Sequence, residues 1–66
     1  MRTHRYRITI SGRLGPAAIE AFASFDITPE GPATALASEM DQAALHGALN
    51  RIRSLDLELV GVDRLG

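Results

Sequence analysis

Twice along this chain a run with period-two hydrophobicity gives way to a run with helical period, and a strand-like run follows each time. That order constrains the fold more than any other feature. His4 to Ser11 alternates cleanly: Tyr6, Ile8 and Ile10 point one way, and Arg5, Arg7, Thr9 and Ser11 the other. Such a pattern marks a half-buried strand. Gly12-Arg13-Leu14-Gly15 breaks it, and Pro16 suits the first turn of a helix. Ala18, Ile19, Phe22 and Phe25 then recur at helical spacing, which predicts a helix of about ten residues over 16–25. Phe25-Asp26-Ile27-Thr28 reads as a short strand, closed by the turn residues Pro29-Glu30-Gly31-Pro32.

The second half repeats the order. Ala33 to Met40 sets Thr34, Leu36, Ser38 and Met40 against Ala33, Ala35, Ala37 and Glu39. This predicts a strand, with a helix left open because alanine is a poor strand former. Asp41 is a good N-cap, and Ala44, Leu45, Ala48, Leu49, Ile52 and Leu55 form the apolar stripe of a second helix. Arg51 and Arg53 complement its dipole at the C-terminal end. Leu57 to Val62 closes the pattern as a strand, apolar on both faces from Leu59 on. The order is therefore βαββαβ. Two right-handed βαβ halves joined by a hairpin give an α+β, ferredoxin-like sandwich, a four-stranded antiparallel sheet with two helices on one face.

At 66 residues the chain is read as one domain, 1–66. A domain of that size buries only about 60% of its unfolded surface. Cysteine is absent, so neither disulfides nor a thiolate metal cage add stability. All seven basic residues are Arg, against eight acids, for a net charge of −1. That balance excludes the strongly basic character of a protein devoted to nucleic acid or an anionic membrane. No run approaches the roughly 18–20 apolar residues of a membrane span, and the start of the sequence lacks the apolar core of a signal peptide. The expected location is cytoplasmic, with no membrane partner.

Several segments resemble the ACT-type regulatory fold, a small βαββαβ ligand-binding and dimerising module. They are Ile8-Thr9-Ile10 leading into Gly12-Arg13-Leu14-Gly15-Pro16, then Asp41-Gln42-Ala43-Ala44-Leu45 opening a helix, then Leu49 to Val62. The stretch from Asp41 to Leu65 is also similar to the C-terminal half of small stand-alone bacterial proteins of unassigned activity. The resemblance covers most of the chain and implies a regulatory module that dimerises.

The residues themselves offer few catalytic groups. His4 and His46 form none of the HxH, HxxxH or HExxH spacings of a metal site, so both read as solvated surface residues and no metal or cofactor is expected. Asp26, Glu30, Glu39 and Asp41 are expected to cluster near the hairpin as a polar rim. Gly12, Arg13 and Gly15 join a strand to a helix start, where backbone N–H groups receive an anion, a ligand carboxylate or phosphate. The RNA-recognition fold shares the topology but stacks bases on strand aromatics. The strand 33–40 has none, and Tyr6 faces the helices, so no nucleic-acid partner is expected.

Gly47 interrupts a good helix at a cost of about 1 kcal/mol relative to alanine, which predicts close approach by another backbone, from the first helix or a second subunit. An alanine-rich open sheet face and a thin core point the same way, to a homo-oligomer. The expected interfaces are the open face, with Arg5, Arg7, Ala35 and Ala37, and the outer side of the second helix, with His46, Gly47, Asn50 and Arg53. The expected function is a non-catalytic homo-oligomeric binding or regulatory module for a small anionic ligand or a larger partner protein. The alternative is a small enzyme with a site between subunits, built from His46, Arg13 or a hairpin carboxylate.

Overall fold

A computed structural model describes residues 2–66. Its elements run β1 (His4–Ser11), α1 (Pro16–Ala21), β2 (Asp26–Glu30), β3 (Ala33–Met40), α2 (Gln42–Ser54) and β4 (Leu59–Arg64). The strands form one antiparallel sheet in the order β2-β3-β1-β4. This is the ferredoxin-like layout, with each helix connecting two strands that flank a third.

Alternation in β1 and β3 decides the two faces. Ile8 stands opposite Leu36 and Ile10 opposite Thr34, and all four are buried on the helix side. Phe22, Ile8, Ile10 and Leu36 are the largest fully enclosed side chains, and Tyr6, Met40, Leu45, Ala48 and Ile52 complete the core. Each fully buried Ile, Leu, Met or Phe side chain contributes about 1.5–3 kcal/mol. Arg5, Arg7, Thr9, Ala33, Ala35 and Ala37 share the opposite face, as their alternation requires.

The helix α2 begins and ends by recognised chemistry. The Asp41 carboxylate accepts from the Ala44 N–H at 2.7 Å, capping the first turn. At the other end Leu57 N–H donates to Ile52 C=O and Asp56 N–H to Arg53 C=O, both at 3.1 Å, while Asp56 takes φ 57°. This is the paired bonding of a Schellman ending, with Leu57 brought back toward Ile52.

Four expectations are corrected here. The first helix stops at Ala21 rather than Phe25, because buried Phe22 anchors the chain and must be followed at once by the return to β2; Phe25 N–H donates to Phe22 C=O and the two rings meet edge to face at 5.2 Å. Ile19 and Ala44 are exposed instead of joining their helices' apolar sides. The strand β2 runs on through Pro29 to Glu30, which an edge position tolerates, and the turn narrows to Gly31-Pro32 with Gly31 at φ 61°. The last strand begins at Leu59, because Asp56 and Leu57 are spent on ending α2.

Candidate functional site

The open sheet face is laced with charge. Arg5 is ion-paired with Asp26, and Arg7 reaches Asp63, directly opposite it on β4, at 3.4 Å. Ala37, opposite Asp26 on one side and Arg7 on the other, lies on the path between Arg5 and Asp26, and Ala35 is buried on the same face of β3. A face whose cations are already matched to acids presents mixed charge rather than an apolar patch.

The other nominated residues lie apart. Gly12 closes the end of the sheet: its N–H donates to Pro32 C=O at 2.8 Å, and its own C=O accepts from Thr34 Oγ1 at 2.7 Å. Arg13 and Gly15 are exposed in the loop after β1, and α1 carries proline in its first turn and no side-chain cap. His46, Gly47, Asn50 and Arg53 are exposed along α2. A Cβ built at Gly47 meets nothing within 4 Å, so the expected approach of α1 is corrected. Gly47 instead borders an open cleft of about 340 Å³ that Glu39 and Arg51 also line. The acids do not gather at the hairpin either. Glu30 stands there, while Asp26 and Glu39 lie toward the opposite end of their strands, and Asp41 is committed to its cap. Arg13 follows the Ser11 end of β1, whereas His46 sits in the first half of α2, which departs from the His4 end. Among the described residues no three His, Asp or Glu side chains converge as metal ligands.

What sequence reasoning missed is the edge strand β4. Leu59, Val60 and Val62 on β4 and Leu65 just after it are 45%, 61%, 38% and 40% exposed, four of the five exposed large apolar residues among the described residues. Leu59 also lines a cleft of about 270 Å³ with Leu49, Ile52, Arg53 and Leu57. Scattered single apolar residues on a surface are ordinary, but these are concentrated along and just past one edge strand, where unpaired backbone is also on offer. The apolar run was visible in the sequence. Which strand lies at the edge, uncovered, depends on the order of strands.

The two edges of the sheet differ in their backbone. Antiparallel residue pairs alternate between those that exchange backbone bonds and those whose N–H and C=O point away. Leu65 N–H donates to Arg5 C=O at 2.7 Å, in register with Arg7 opposite Asp63 and Thr9 opposite Gly61. Odd-numbered residues of β1 thus bond to β4, and Val62 and Arg64 aim their backbone groups off the edge. Gly12 N–H donates to Pro32 C=O in register with Ile8 opposite Leu36. Even-numbered residues therefore join β1 to β3, and odd-numbered ones join β3 to β2. Ile27 and Pro29 hold the outward positions of β2, and Pro29 has no N–H to offer. Proline and the flanking acids Asp26 and Glu30 blunt that edge in the manner of protected edge strands. On β4 a bulge at Val60 bends the edge and the charges Asp63 and Arg64 stand at its far end, but Leu59 to Val62 carries neither proline nor charge.

No helix among the described residues is long and apolar enough to cross a membrane. No curated protein and no solved structure matches the chain. A family model does match, over residues 5–63, from the first strand to near the end of the last. The chain belongs to the family described as Domain of unknown function (DUF8691).

Proposed function

We propose that the protein is a non-catalytic homo-oligomeric interaction module that assembles through the β4 edge. The observation that carries this reading is the contrast between the two edges: β2 is blunted by Pro29 and two acids, while β4 offers unpaired backbone and the apolar residues Leu59, Val60 and Val62. A thin single core adds a reason for the chain to gain buried area by association. On this reading it is an ACT-like regulatory module of the cytoplasm, binding a larger protein or a small anionic ligand once assembled. The net charge of −1 and the matched arginines of the open face favour neither nucleic acid nor a membrane as its partner.

Native mass spectrometry of the gently purified protein, backed by sedimentation velocity over a concentration series, tests the reading. A symmetric oligomer is expected, and retained extra mass would identify a ligand. A monomer at every concentration rules the reading out.

A further inference from the structure

We propose that two copies join β4 to β4 in antiparallel fashion about a two-fold axis at Val62, merging two four-stranded sheets into one continuous sheet. This rests on the self-assembly proposed above and gives it a specific geometry. An antiparallel strand paired with its own copy matches every outward donor to an outward acceptor, because the two-fold exchanges the roles. With the axis at Val62, that residue pairs with the partner's Val62, and Val60 stands opposite the partner's Arg64.

Charge and backbone select this register over its neighbours. With the axis at Val62, Gly61 faces the partner's Asp63 and no like charges are opposed. Moving the axis to Asp63 sets that carboxylate directly against the partner's Asp63, which is destabilising. Moving it to Gly61 sets Arg64 against the partner's Glu58, a residue whose carbonyl is already taken by the Ser11 N–H at 2.9 Å. The outward groups of Arg64 would then go unpaired.

The side chains agree with the backbone. Val62 lies opposite Ile8, on the helix side of the sheet, so the two Val62 side chains extend the apolar layer across the junction. Val60, the residue without a β1 partner at the bulge between Thr9 and Ile10, is the most exposed apolar residue of the strand and would lie beside the aliphatic stem of the partner's Arg64. The same operation on β2 fails, because its outward Pro29 lacks a donor and, with the axis at the central Thr28, Asp26 would face the partner's Glu30, like charge against like.

The test uses the full chain. Val62→Lys places a charge at the axis, and Val62→Pro removes an N–H that makes no bond to β1. Both are expected to weaken dimerisation by about tenfold or more in sedimentation experiments, with circular dichroism confirming the fold of each. Since the chain has no cysteine, Val62→Cys gives a single thiol whose copy lies about 5.5 Å away between Cα atoms in a hydrogen-bonded pair, within disulfide reach. Mild oxidation is expected to cross-link it, and not Asn50→Cys on α2. A dimer that survives Val62→Lys, with no cross-link at position 62, overturns this geometry while leaving self-assembly through another face. A wild-type chain that is monomeric throughout overturns both.

Discussion

Arg5 of β1 is ion-paired with Asp26 of β2, although β3 runs between their strands. In register, Arg5 stands opposite Glu39 and Asp26 opposite Ala37, so the arginine crosses β3 diagonally, past a residue with only a methyl side chain. This explains why the third strand accepts alanine, a poor strand former: bulk at position 37 would lift the guanidinium off the sheet. The pair is well exposed, Asp26 at 72%, and so contributes little. A double-mutant cycle with Arg5→Ala and Asp26→Ala should give a coupling below about 1 kcal/mol, falling toward zero in 1 M salt. Thermal or urea unfolding reads it. A coupling that persists in high salt would assign the contact to packing rather than charge.

Phe22 is fully enclosed, meets Phe25 edge to face, and lies under the Arg51 guanidinium at 5.6 Å. Arg51 also donates to the Ala21 C=O at 2.8 Å, satisfying a carbonyl at the end of α1 from the side of α2. Removing the ring should therefore loosen both helices together. Phe22→Ala should cost about 3–5 kcal/mol, against a total stability of roughly 3–10 kcal/mol for a chain of this length. The variant should be largely unfolded by circular dichroism, or melt far below the wild type. A small change in melting temperature would mean that the two helices pack independently of this ring.

The bounds of β1 and β3 are legible to the residue, because each alternates over a full strand between breakers and one face is largely buried, although the alanines of β3 leave a helix open in the sequence. The start of α2 was equally plain, since Asp41 precedes an apolar stripe. Length was misread where tertiary demands override local pattern. Residues 16–25 keep helical spacing to Phe25, yet the chain must leave the helix at Phe22 to reach β2. Pro29 reads as a turn residue in isolation and as an edge-strand residue once strand order is known. The same applies to the candidate site. Leu59, Val60 and Val62 look like core in one dimension, and only the placement of β4 at an edge exposes them.

Thr34 is the one buried polar residue among the described residues, and its hydroxyl donates to Gly12 C=O at 2.7 Å. That bond and the Gly12 N–H to Pro32 C=O bond lock the end of β1 to the β2–β3 turn. Thr34→Val keeps the shape but strands the part-buried carbonyl of Gly12. A loss of about 1–3 kcal/mol is expected, read as a lower urea midpoint with unchanged slope, whereas Thr34→Ser retains the donor and should lose less. A loss for Thr34→Ser with none for Thr34→Val would show that the methyl group, and not the hydroxyl, does the work.

Asp56 ends α2 in the left-handed region at φ 57°, the position that glycine favours. A residue with a Cβ is strained there by about 1–2 kcal/mol, partly offset by the greater freedom glycine brings to the unfolded chain. Asp56→Gly should raise stability by a few tenths to about 1 kcal/mol, seen as a higher melting temperature. A decrease would mean that the carboxylate contributes at the loop.

Gly47 separates a monomer effect from an assembly effect. In one chain a Cβ there meets nothing within 4 Å, and the residue is exposed in the middle of α2. Gly47→Ala should therefore stabilise the folded chain by about 0.5–1 kcal/mol through helix propensity alone. Unfolding at low concentration, where the chain is monomeric, measures that gain. Repeating the measurement at high concentration, alongside sedimentation, asks whether the methyl group obstructs a second copy. With β4 as the contact strand, dimerisation should be unchanged and the gain equal at both concentrations. A variant that melts higher as a monomer yet associates less would place the outer side of α2, around His46 and Asn50, at the subunit contact and displace β4 from that role.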